Sequence, residues 1–239
     1  MYRNLLLAAL CGLLPAIAGD PQRAPVLVEL FTSEGCSSCP PADRLLQQLD
    51  ARAIVLSEHV DYWDHQGCKD PFSSHTLTQR QAAYGRQFGL DSVYTPEMVI
   101  DGAEEFNGSD CARAVAEISR ASRRKKAEVR LSRSGAAVLV EVDSAPAPAD
   151  VLLALAQDSG MSQVSGGENR GRQLRHVAIL QSLRKIGSVK RDAAFRAEVE
   201  LPRAASAQRI IVFLQESDLG RICGAALISG TGYETPKSR

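Results

Sequence analysis

Two of the six cysteines in this 239-residue chain stand three positions apart in Gly35-Cys36-Ser37-Ser38-Cys39-Pro40. Thiols at that spacing can close on one another. A thiol in the first turn of a helix also sits at the positive end of the helix dipole, which favours its thiolate form. Cys36 is then the better-placed nucleophile. Cys39, three residues further along, is the thiol that resolves a mixed disulfide. Zinc ribbons and plain structural disulfides use the same spacing, so the flanking residues must decide between exchange, metal binding and a permanent bridge.

A second group with chemical potential follows at His59, Asp61, Trp63, Asp64, His65 and Cys68. Histidine, carboxylate and thiolate are all metal ligands. No spacing here matches a closed zinc or copper site. The group reads better as a lip around the cysteines or as ordinary loop packing, and neither a metal nor a cofactor is assigned. Tyr62 and Trp63 read as anchors of the long loop, with packing over the cysteine pair as the alternative. His75 and His176 carry no context and read as surface or hydrogen-bonded residues.

The elements that must position the cysteines are legible on both sides. Residues 26–31 form a short β-branched-rich run suited to a strand buried on both faces. Pro40 and Pro41 fit a first helical turn, where a missing N–H is harmless, and Leu45, Leu46 and Leu49 recur at helical spacing. Residues 53–59 predict a second strand, parallel to the first. Residues 76–88 predict a helix closed by Gly89. Thr95-Pro96 then stands before the apolar run 98–100; a proline at a strand's start predicts a rigid turn, with the cis isomer open to it. Asp101-Gly102 signals a hairpin, and residues 108–110 cap a helix over 111–121.

From about residue 128 the pattern changes to strand-like runs at 129–131, 137–142, 151–156, 174–183, 195–201, 210–215 and 223–228. Gly, Pro, Ser and charged residues separate them. That spacing predicts an antiparallel sandwich, although 174–186 fits a helix equally well by length and pattern. Residues 166–172 form a polar loop inside this region.

Residues 1–18 read as an export signal, with Arg3, an apolar stretch over 5–17 and Ala16-Ile17-Ala18 as the cleavage site. The apolar stretch is too short for a bilayer, which needs about 20 residues. The expected location is therefore periplasmic or secreted, with no membrane span after signal removal. Cleavage would remove Cys11 and leave Cys36, Cys39, Cys68, Cys111 and Cys223, an odd number in a compartment that permits disulfides. Lysine plus arginine balances aspartate plus glutamate at 28 each, so no long-range field attracts nucleic acid. The run Arg123-Arg124-Lys125-Lys126 reads as the solvated end of a helix.

The order of a strand, a C-x-x-C at a helix start, a helix, a strand, a helix, Thr-Pro, a hairpin and a helix resembles the thioredoxin fold over residues 26–121. That resemblance implies a cis proline lying against the cysteine pair, so Thr95 and Pro96 would face Cys36 and Cys39 and align an incoming substrate chain. Glu29 resembles in position the buried acid that takes a proton from the resolving cysteine, with simple exposure at a strand end as the alternative. The chain departs from thioredoxins in having Gly35 before the first cysteine and Ser37-Ser38 between the two. A closer resemblance runs through Leu30 to Asp43, His59-Val60-Asp61-Tyr62-Trp63-Asp64, Lys69-Asp70-Pro71-Phe72, Arg80-Gln81, Val93-Tyr94-Thr95-Pro96 and Gly166 to Arg172. These segments are similar to the exported bacterial family catalogued as domain of unknown function 1223, in whose pattern Cys68 stands where a tryptophan is expected.

Together these readings predict an α/β thioredoxin-like domain over 24–124 followed by a mainly β, sandwich-like domain over 127–230. The expected activity is thiol-disulfide exchange, with Cys36, Cys39, Thr95, Pro96 and Glu29 as site residues and protein thiols or disulfides as partners. The alternatives are a partner-binding module with a structural Cys36–Cys39 bridge, or copper handling.

Overall fold

The structure, a computed structural model, describes residues 24–67, 69–202 and 208–229. The predicted export signal and Cys68 lie outside the described residues. The first half runs β1 (Leu27–Thr32), α1 (Cys39–Leu49), β2 (Ile54–His59), α2 (His75–Phe88), β3 (Glu97–Ile100), β4 (Glu104–Asn107) and α3 (Cys111–Ala121). The second half is all strand: β5 (Val129–Ser134), β6 (Ala137–Val142), β7 (Ala149–Gln163), β8 (Gln173–Val189), β9 (Phe195–Glu200), β10 (Gln208–Gln215) and β11 (Ile222–Ile228).

These elements do not form the predicted α/β thioredoxin-like domain followed by a separate sandwich. The protein is mostly β, and its main feature is one eight-stranded mixed sheet in the order β11-β10-β7-β8-β2-β1-β3-β4. The joint is β8, which meets β2 in parallel at Ser57 and Ile179. The physical reason lies in β2, whose six residues are all buried. Its free edge, an exposed row of backbone groups in an isolated first half, is covered by strands supplied more than a hundred residues later. Only β5, β6 and β9 are left to make a second, three-stranded sheet. The segment that fitted helix or strand equally well is strand throughout, paired with β7 along nearly its whole length.

Alternation along the strands sorts the layers. Val28 and Leu30 of β1 face Leu45, Leu46 and Leu49 of α1 and Ile118 of α3. Phe31 points the other way, into a cluster with Val60, Val99 and Tyr84 of α2. Val138, Val140 and Val142 of the small sheet pack on Val151, Leu153, Ile210 and Val212 of the large one. Burying each such side chain contributes roughly 1.5–3 kcal/mol.

Local signals set the helix ends. Cys39 is the first residue of α1, with Pro40 in the first turn. Gly89 ends α2 with φ of 69°, a left-handed conformation that glycine adopts freely. The Asp110 carboxylate accepts from the Arg113 amide at the start of α3. The basic run after α3 is only partly solvated: Lys126 is buried and donates to Asp101 at 2.5 Å. No helix among the described residues is long and apolar enough to cross a membrane.

Candidate functional site

Cys36 and Cys39 form a disulfide, and both are fully buried. The loop that carries them leaves β1 at Thr32 and winds into α1 through turns in which the Cys36 amide donates to Ser33 O and the Cys39 amide to Cys36 O. Cys36 therefore lies three residues before the helix and Cys39 occupies its first position. Ser37 and Ser38 between them are exposed.

The Thr95–Pro96 peptide is cis and lies beside this loop. Cys36 Sγ sits 3.7 Å from the Thr95 carbonyl oxygen, which also accepts from Ser38 Oγ at 3.4 Å. Trp63 spans the two: its indole N–H donates to Thr95 Oγ1 at 2.8 Å, and its Cβ closes on Gly35. A Cβ at residue 35 would lie 2.9 Å from that atom, so glycine is required there by close approach. Of the residues that sequence reasoning assigned, Cys36, Cys39, Thr95 and Pro96 thus come together.

Glu29 lies elsewhere, on the α2 side of the sheet. Its carboxylate accepts from Arg80 Nε at 2.9 Å and Nη2 at 2.5 Å and from the Tyr84 hydroxyl at 2.7 Å. Glu58 and Glu97 from the neighbouring strands share this layer, each fully buried. Burial, and then the Glu29 charge, hold Glu58 well above the usual carboxylate range, partly offset by Arg80 at 3.6 Å. Burial pushes Glu97 up to about 7, against a hydrogen bond from Gln81 Nε2 at 2.7 Å. Burial is the largest influence on Arg80 and opposes its charge as well, but Glu29, Tyr84 and Glu58 together outweigh it and keep the guanidinium ionised.

The second half of the chain closes over the disulfide loop from the other side. The turn joining β7 to β8 places Asn169, itself fully buried, so that its Nδ2 donates to the carbonyls of Glu34 at 2.9 Å and Cys36 at 2.8 Å. Arg172 holds the Asn169 oxygen at 2.9 Å, and Glu168 accepts from the Ser37 amide at 3.0 Å; the Ser37 side chain and then this amide lower the Glu168 pKa. Beneath the loop lies a buried cluster of His59, Asp70, His176, Glu34 and Asp43. His59 Nδ1 meets Asp70 Oδ2 at 2.7 Å, and that same oxygen accepts the Glu34 amide at 2.9 Å. Burial pushes Asp70 up, but His59 and the amides of Glu34 and Phe72 outweigh it and hold the carboxyl below its usual range. The rings of His59 and His176 stand edge to face with centroids 4.5 Å apart. His176 reaches ion-pair distance of two carboxylates, with Nε2 at 3.5 Å from Glu34 and Nδ1 at 3.7 Å from Asp43. Burial alone would depress its pKa, yet Asp43 and Glu34 raise it to about 9. Ser162 of β7 donates to Glu34, and Thr32 Oγ1 donates to Asp43 at 2.9 Å.

The loop group is divided among several tasks. His59 joins the buried cluster and Trp63 the cysteine loop. Asp61 binds Thr78 and the exposed His75, and Asp64 accepts from the Asp70 amide and Ser73. Among the described residues no three His, Cys, Asp or Glu side chains are grouped to hold a metal ion. Sequence reasoning gave no role to Asn169, Asp43, Asp70, Glu34 or Ser162 and read His176 as ordinary. The signals present were the i, i+4 spacing of Cys39 and Asp43 on one helix, and a histidine directly before the apolar run Val177 to Leu180.

This fold and site define a mostly β protein with a disulfide at a helix start, enclosed by both halves of the chain. The chain belongs to the family of proteins of unknown function DUF1223, whose model matches residues 27–215. It is similar to a crystal structure of a protein from Agrobacterium tumefaciens, at 26% identity and a TM-score of 0.76, over 91% of this chain and 100% of that one. It also shares its fold with HBP35 of Porphyromonas gingivalis, at 14% identity and a TM-score of 0.62, over 91% of this chain and 80% of that one. No curated protein matches it.

Proposed function

We propose that this protein is a thiol-disulfide oxidoreductase that works outside the cytoplasm, with protein thiols or disulfides as its partners. The supporting observation is the Cys36–Cys39 bridge at the start of α1 with Cys36 Sγ 3.7 Å from the Thr95 carbonyl. In this reading Cys36 is the sulfur that an incoming thiolate attacks, Cys39 leaves and later resolves, and the Thr95–Pro96 backbone aligns the partner chain. The export signal read at residues 1–18 supports an oxidising setting, where such a pair has substrates. Equilibration of the protein with glutathione buffers tests the reading. A reduction potential well above about −300 mV supports exchange, and loss of insulin reduction in Cys36→Ser assigns it to this pair.

A second reading is favoured by one observation, the complete burial of both cysteines under the Asn169 contacts. In that reading the bridge is permanent and the protein is a partner-binding module. A potential below about −300 mV supports it.

A further inference from the structure

Asp43 Oδ2 is buried and has no hydrogen-bond partner among the described residues, although the other oxygen of the same carboxylate is held by Thr32. Both ring nitrogens of the neighbouring His176 are in the same condition. Buried polar groups without partners are rare and need an explanation. Asp43 stands four residues after Cys39 in α1, which puts the two side chains on one helix face, and both are buried there. In the disulfide form the Cys39 sulfur has no proton to offer. In the reduced form it has one.

We propose that Asp43 and His176 are the proton-handling pair of Cys39, with Asp43 Oδ2 receiving the Cys39 S–H once the disulfide opens. The proposal rests on the exchange reading above. In the reductive direction an incoming thiolate forms a bond to Cys36 Sγ, the bond between the two sulfurs breaks, and its electron pair leaves on Cys39 Sγ. That sulfur is buried, so its anion is poorly solvated. A proton held by the His176 imidazolium passes by way of Asp43 to Cys39, leaving a neutral thiol and a neutral imidazole. In the oxidative direction the same pair takes the proton back as Cys39 attacks the mixed disulfide on Cys36. The charged groups that face His176 are Asp43 from α1, Glu34 from the cysteine loop and His59 from β2, with Asp70 behind His59. Two of these are carboxylates in direct reach, which is why a proton stored there is held until an anion appears nearby. Glu29, with its oxygens committed to Arg80 and Tyr84, is not placed to do this.

The test uses the full-length protein carrying Cys36→Ser, so that Cys39 is the reporting thiol, with a Cys36→Ser/Cys39→Ser protein subtracted as background. Thiolate absorbance is followed against pH. Asp43→Asn removes a negative neighbour and should lower the apparent Cys39 pKa by about one pH unit. His176→Gln removes a positive one and should raise it by about the same. Opposite signs are the signature, since a general loosening of the structure moves both variants in one direction. Shifts of the same sign, or both below about 0.3 pH unit, overturn the proposal. Where His176→Gln does not fold, His176→Asn or the near-isosteric Asp43→Asn alone still reports. In the otherwise unaltered protein at pH 7, Asp43→Asn should slow at least about tenfold both the opening of the bridge by glutathione, in which Cys39 leaves, and its reverse, the attack of Cys39 on the mixed disulfide. If the unaltered protein forms no mixed disulfide with glutathione, the exchange reading falls, while the thiol titration still decides whether the pair is coupled to Cys39.

Discussion

Replacing Asn169 by alanine should make the disulfide easier to reduce, because this one side chain ties the β7–β8 turn to the cysteine loop. Its amide donates two hydrogen bonds, to Glu34 O and to Cys36 O. The Cys36 carbonyl keeps a second partner, the Cys39 amide, whereas the Glu34 carbonyl loses the side-chain donor that reaches it. A hydrogen bond contributes about 1 kcal/mol net, and a buried carbonyl stripped of its partner costs about 1–3 kcal/mol. A total near 2 kcal/mol follows, which is a factor of roughly 25 in the equilibrium between the closed turn and an opened one.

Small thiol reductants reach fully buried sulfurs through such openings. When opening and closing are fast relative to the chemistry, the observed rate follows the open population. Reduction by dithiothreitol, sampled by alkylation and mass measurement under conditions where the protein is folded, should therefore accelerate about 10- to 30-fold in Asn169→Ala. Asn169→Asp should do at least as much, since it sets an acceptor against two carbonyl oxygens. A rate within twofold of the unaltered protein, together with a lowered urea midpoint, would refute the reasoning: the turn would then support global stability without gating the disulfide.

Three further outcomes follow from the same geometry. Gly35→Ala drives a Cβ to 2.9 Å from Trp63 Cβ and should lower stability in urea by about 1–3 kcal/mol. Arg80→Met leaves Glu29 without its cation and should cost about 3–5 kcal/mol; Glu29→Gln added to it should restore part of that loss, read as a coupling energy in a double-mutant cycle. Glu97, raised in the fold to about 7 from an ordinary 4.5, binds a proton more tightly when folded, so its ionisation destabilises the protein as pH rises through that window. Glu97→Gln should match the unaltered protein near pH 4 and exceed it by up to about 3 kcal/mol at pH 8; equal urea midpoints at both pH values would exclude this role.

Local structure was legible where local rules decide it. Pro40 and Pro41 in the first turn, Gly89 in a left-handed cap and the alternating valines of β6 each announce their element, and the structure has them. Pairing across the chain was not. Nothing in residues 173–189 says that they will cover the edge of β2 and not a partner within their own half, because a strand's preference for one edge over another lies in shape and burial on both sides. The error in fold class and the omission of Asn169 and His176 have this one origin. Both residues ride on the β7–β8 pair, and they meet the cysteines only because β8 docks on β2. The first half supplies the sulfurs, Thr95, Glu34, Asp43 and the His59–Asp70 pair. What encloses the sulfurs and sets a cation beside Asp43 comes from the second. An isolated segment 24–124 would expose the edge of β2 and leave Asp43 without His176, so the surroundings of the Cys36–Cys39 bridge belong to the joined sheet.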